Sequence, residues 1–235
     1  MKYNKKKFLS HNFLQGVIMK VEWLGHSSFK LTESTGISLI TDPFDAEKVG
    51  ISYPEVSADY VTVSHKHFDH DAVENIKGYK AVIDMPGVHD LCGVTVYGLM
   101  SYHDHKKGAL RGRNIIYKIR MDGVEVCHLG DIGEDLSPML AELIGSINVL
   151  MVPVGGRYTV NARQAKEYVD MLMPDVVIPM HYMAEGYHTV LDDLDDFLKL
   201  FEEENIEYTG KVMEFDRTDF DGERTKIIIP KRVSQ

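Results

Sequence analysis

Eight residues, Ser64 to Asp71 (SHKHFDHD), hold three histidines and two aspartates. A run this dense in metal-capable side chains constrains the chain around it, because such groups must be held rigidly and aimed at one place. The spacing is His65-x-His67-x-Asp69-His70. It lies directly behind the apolar run DYVTVS and ahead of DAVENIK, which reads as a short helix over 71–76. A strand end fixes side chains while the following loop leaves them open. His65 and His67, two apart on extended chain, point to one side; Asp69 and His70, past the bend, turn toward a second ion.

The rest of the first half also reads as strands joined by tight turns: KVEWLG, SSFKLT, GISLITD, KAVID and VTVYGLMSY. NIIYKIRMDGVEVCHLGD is a hairpin closed on Asp122-Gly123, a favoured two-residue turn. The second half alternates strand and helix. INVLMVPV and DVVIPMH are buried strands, and between them Asn161 with Gln164 forms a capping-box pattern. Thr189 is expected to cap a helix running through Leu194, Phe197, Leu198 and Phe201. Strands near IEYTGKVMEF and TKIIIP close the chain. Two sheets packed face to face with helices outside suit this pattern.

Further metal-ligand candidates stand behind strand-like segments: His103 in SYHDHKKG, Asp131 in CHLGDIG and His181 in IPMHY. His26, in WLGHSSF, ends a strand and reaches toward the site. His11, His89 and His105 lack partner ligands and read as hydrogen-bonded histidines. His128, three residues before Asp131, faces away and reads as structural.

These residues resemble a known family. His65-x-His67-x-Asp69-His70, Asp42 in TDP, His103, Gly130-Asp131 and His181 are similar, in order, to the signature of the metallo-β-lactamase superfamily. GHSSF, HLGD, PVGGRYT and PMHY resemble its small metal-dependent hydrolases related to ascorbate-6-phosphate lactonase, and more distantly the phospholipase D that cleaves N-acyl phosphatidylethanolamine. The resemblance implies an α/β (α+β) fold, a four-layer αββα sandwich with metals at one edge. It implies one ion on His65, His67 and His103, a second on Asp69, His70 and His181, and Asp131 between them. Asp69 and Asp131 would be the catalytic carboxylates, with Asp42 and His26 orienting the ligands. Flavin-linked diiron relatives carry Glu where this chain has His67, which argues for hydrolysis over redox iron. Two divalent cations are expected, zinc foremost, with manganese, nickel or iron as alternatives.

Composition limits the substrate. Net charge is −10, but the five lysines of residues 1–20 meet no acid there. From Val21 onward, 21 cations face 36 anions, a net −15. Such a body repels phosphodiester backbones, so nucleic acid is disfavoured as a partner and a small molecule is expected. One cationic loop stands out, HKKGALRGR, with Lys106, Lys107, Arg111 and Arg113 after His103. It reads as a lip for an anionic group on the substrate, against the alternative of a merely solvated loop. Tyr158, Tyr182 and His188 are candidates for contacting substrate and protonating the leaving group. A nuclease of the same superfamily and a non-catalytic metal-binding protein are the competing readings.

Residues 1–18 read as an N-terminal extension with no clear signal peptide, and residues 19–235 as one domain. No apolar run is long enough for a transmembrane helix. Cys92 and Cys127 lie in apolar surroundings and are expected to be buried free thiols in a cytoplasmic protein. Self-association stays open.

Overall fold

Strand alternation builds a sheet covered on both faces. In a computed structural model, which describes residues 17–234, six strands lie in the order Val212–Asp216, Ile18–Gly25, Ser28–Thr32, Ser38–Thr41, Tyr60–Thr62 and Ala81–Ile83. Successive side chains point to opposite faces. Leu39 and Tyr60 therefore enter the core between the sheets, while Ile40 and Val61 pack outward under Phe44, Val49 and Tyr187. The expected N-terminal extension, up to residue 16, lies outside the described residues.

The second sheet has eight strands in the order Ile206–Thr209, Lys226–Pro230, Val176–Met180, Val149–Pro153, Val124–His128, Arg113–Met121, Val94–Tyr102 and Gly87–Leu91. Its meander half is antiparallel and its other half parallel. The parallel strands Val149–Pro153 and Val176–Met180 are buried throughout, as sheets roofed on both sides require. Helix Ala162–Leu172 covers that half, with Ala165, Tyr168 and Val169 in the core. Asn161 and Gln164 close its capping box. The turn at Asp122 and Gly123 has φ of 53° and 77°, the left-handed pair that a primed hairpin turn needs. The architecture is the αββα sandwich of the metallo-β-lactamase type. Among the described residues no helix is long and apolar enough to cross a membrane.

Four local expectations change. Residues 71–76 form only a short 3-10 turn, Val73–Asn75, with Ala72 before it anchored through its N–H to the Pro43 carbonyl. The last amphipathic helix is Leu194–Leu198 and does not start at Thr189. The backbone of Asp192 is tied to Gly155 and Met183, and residues 189–192 form no helix. Helix Pro138–Ile144, capped by Ser137 with proline in its first turn, was not foreseen. Cys127 is buried as expected, but Cys92 is exposed on the turn after the outer strand Gly87–Leu91.

Candidate metal centre

The site forms where loops from both sheets meet. The loop after Tyr60–Thr62 brings His65, His67, Asp69 and His70. Loops after Val94–Tyr102, Val124–His128 and Val176–Met180 bring His103, Asp131 and His181. His26 follows Ile18–Gly25, and Asp42 follows Ser38–Thr41. His26, Asp42 and His181 have φ of 52°, 39° and 52°. Left-handed backbone is uncommon for side-chain-bearing residues and is held only where the surroundings enforce it.

Donor atoms gather in three overlapping groups: His65, His67 and His103; His26, Asp69, His70 and His181; and His65, His70 and Asp131. Within each group they lie within 4.8 Å of one another. His65 Nε2 and His67 Nδ1 are 3.0 Å apart. Asp131 Oδ2 stands 3.3 Å from both His103 Nε2 and His181 Nε2, so it touches the first two groups at once. His26 Nε2 lies 3.3 Å from Asp69 Oδ2, which puts His26 beside the donors themselves.

Buried partners aim these rings. Asp42 takes the Ser64 N–H and hydroxyl at 2.8 and 2.6 Å, and the His70 Nδ1–H at 2.8 Å. With its hydrogen committed to Asp42, the Ser64 hydroxyl accepts from His65 Nδ1 at 2.9 Å. Both rings then present Nε2 lone pairs to the centre, the arrangement that carboxylate–histidine–metal triads use. His128 spends both nitrogens elsewhere: Nε2–H donates to the Ser27 carbonyl and Nδ1 accepts the Gly130 N–H. It pins one turn of the site to another and is no ligand.

A cation fits this set. His70 Nε2 and Asp131 Oδ1 face each other at 3.1 Å. Both atoms are buried and have no hydrogen-bond partner among the described residues. Burial pushes the Asp131 carboxyl up, but His181, His70 and His103 outweigh it and hold it well below the usual range. Burial pushes His70 down, but Asp131, Asp69 and Asp42 outweigh it and raise it well above an ordinary histidine. The field that favours a proton on His70 is equally open to a metal ion. Imidazole nitrogen and carboxylate oxygen are the donors that zinc and its neighbours take.

A cleft of about 430 Å³ opens over the centre, walled by Phe68, Leu110, Arg111, Tyr158 and Thr189. Arg111 lies over the Tyr158 ring at 5.1 Å. The cationic loop is bent by Asp104, whose carboxylate takes the N–H groups of Lys106, Gly108, Leu110 and Arg111 at 2.7–3.1 Å. That bend turns Arg111 inward and leaves Lys106 and Lys107 exposed, away from the cleft. Tyr182 is buried against Trp23, and His188 lies beside Gly50; neither lines the cleft. Asn114, which no motif marked, donates to Ser101 and Leu129 and accepts from Asp131. Its signal was an uncharged amide at the head of the largely apolar run NIIYKI.

Comparison with known proteins agrees with this geometry. Residues 20–181 match the model of the beta-lactamase superfamily domain. A UPF0173 metal-dependent hydrolase of Thermococcus onnurineus is 31% identical over 211 residues, 78% of this chain and 92% of that one. Its counterpart in Archaeoglobus fulgidus is 31% identical over 212 residues, 77% and 90% of the two chains. A crystal structure from Thermotoga maritima, described as a candidate Zn-dependent hydrolase of the metallo-beta-lactamase superfamily, has 38% identity and a TM-score of 0.74. It covers 91% of this chain and 100% of that one. An isothiocyanate hydrolase from Delia radicum gut bacteria covers 92% and 97% at TM-score 0.65, but at 15% identity it shares only the fold. The chain belongs to the metallo-β-lactamase superfamily, as one of its metal-dependent hydrolases.

Proposed function

We propose that residues 19–235 form one catalytic domain that uses two divalent cations, zinc foremost, to hydrolyse a small anionic ester, lactone or phosphodiester. The observation that supports this most is Asp131, whose Oδ2 is equidistant, at 3.3 Å, from histidines of two donor groups. His65, His67 and His103 would hold one cation, Asp69, His70 and His181 the other, and Asp131 would touch both. When bound, the cations would acidify water to a nucleophile near neutral pH and offset charge developing on the substrate.

The chain supplies the rest. Asp42 and Ser64 keep His70 and His65 in the tautomer that faces inward. His26 holds Asp69 in place; burial, with His181 nearby, lowers it to about 4 and keeps it neutral. Tyr158 lines the cleft and would give a proton to a leaving group. Two unpaired cysteines fit a reducing cytoplasm. The net −15 of the body disfavours a nuclease.

The test is elemental analysis of protein prepared without chelator, followed by an ester, lactone and phosphodiester panel. About two ions per chain are expected, with hydrolysis abolished by Asp131→Ala while the fold persists. Full activity in that variant would remove Asp131 from its role between the ions.

A further inference from the structure

Beside the metal cleft lies a second one, of about 700 Å³. This is within the range of ligand pockets, which run roughly 300–1,000 Å³. The two clefts share His67 and Arg111, so they meet at the metal centre's rim. The second cleft's floor is apolar: Met85, Pro86, Met100 and Ile115 line it. Met85 is 64% exposed and Met100 40%, and flexible thioethers adapt to a variety of apolar shapes.

Its charge is one-sided. Lys66, Arg111 and Arg113 line it, against one acid, Asp84. Asp84 is occupied by Lys66 at 3.0 Å. Arg111 and Arg113 have no carboxylate partner among the described residues, though the body is strongly acidic. Arg111 is not loose: its backbone is held by Asp104 and its guanidinium rests on Tyr158. A guanidinium placed in advance loses less freedom when it takes a carboxylate or phosphate.

We infer that the second cleft is a subsite for the non-reacting arm of an amphiphilic organic anion. The apolar body of that arm lies along Met85, Pro86 and Met100. Its carboxylate or phosphate meets Arg111, on the wall the two clefts share, and Arg113, which lines the second cleft alone. Arg111 is then a specificity-determining residue, reading a charge remote from the scissile bond. This rests on the hydrolase reading above and narrows its substrate to molecules with an apolar chain or ring carrying an anionic group.

The probe is dansyl-undecanoate, a fluorescent acid with an apolar body, compared with its neutral methyl ester. Binding to the full chain is followed by fluorescence at low salt, in chelated and in metal-loaded protein. The acid should bind about tenfold more tightly than the ester, the usual scale for a charge-assisted contact. Arg111→Gln with Arg113→Gln should erase that advantage and leave ester binding unchanged. Met100→Glu, at a position 40% exposed, should weaken both probes, with a thermal melt checking that the variant is folded. Equal binding of acid and ester, or a double variant that keeps the preference, overturns the anion contact. Indifference of both probes to Met100→Glu overturns the placement of the apolar arm. Binding to chelated protein separates this from the hydrolase reading: probe discrimination without turnover on any panel substrate refutes only the latter, and turnover without discrimination refutes only the subsite.

Discussion

Asn114 takes the backbone N–H of Asp131 on its side-chain oxygen at 3.0 Å and gives its amide hydrogens to Ser101 Oγ and the Leu129 carbonyl, each at 2.8 Å. One fully buried amide thus fixes the turn that carries the central carboxylate. Asn114→Ala strands a buried N–H and should cost about 1–3 kcal/mol of stability. It should also weaken metal binding. Thermal melts with a parallel zinc titration check this; lower stability with undiminished metal affinity would leave Asn114 a packing residue only.

Asp42→Asn should lower metal affinity about 10–100-fold, the range for partners that orient ligating histidines. The variant keeps the shape of the side chain but loses the charge shared by Ser64 and His70. Competition with a chromogenic chelator measures it, and a parental affinity would show that the two rings need no such anchor.

Chelation should destabilise the protein. An ion that binds only the folded state adds about 2.7 kcal/mol at hundredfold excess over Kd. The melting temperature should therefore climb with the logarithm of added zinc, and a melting temperature that ignores zinc would argue against binding by these residues.

Gly155→Ala would put a Cβ 2.0 Å from the His181 carbonyl oxygen. Backbone cannot yield as a flexible side chain can, so a loss of about 1–3 kcal/mol is expected, together with weaker metal binding as His181 shifts. Denaturant melts of the variant, with and without metal, test both parts.

The two thiols should react differently. Burial pushes Cys127 up to about 12, so it stays protonated and shielded, whereas Cys92 is exposed. Alkylation at about pH 8, followed by mass spectrometry, should add one label quickly and the second only on unfolding, since the thiolate is the nucleophile. Two rapid labels would mean that the strand carrying Cys127 opens readily.

The candidate donors that the fold brings together were legible in the sequence because four of them sit in one short loop and the other three each end an apolar run, patterns that survive without knowledge of the fold. His26 was harder to place. Its distance to Asp69 depends on how a turn of one strand meets the loop of another, and spacing carries no trace of that. The cationic loop shows the same limit. Lys106 and Arg111 look equivalent in HKKGALRGR, yet Asp104 gathers four N–H groups and sends them to opposite sides. The helix expected from Thr189 failed for a related reason. Helical spacing was present, but the backbone of Asp192 is tied to Gly155 and Met183 outside the segment, and the helix begins only at Leu194.

The strand order has a consequence for synthesis. Val212–Asp216 pairs with Ile18–Gly25, and Lys226–Pro230 lies between Ile206–Thr209 and Val176–Met180. While the ribosome still holds these late segments, the first strand to emerge has one bare edge, and the parallel half of the other sheet lacks an inner member. Exposed strand edges recruit other chains, and pairings this distant in sequence form slowly. Nascent chains stalled before residue 212 should therefore be the ones that chaperones hold, and release of the last strands should let both sheets close together.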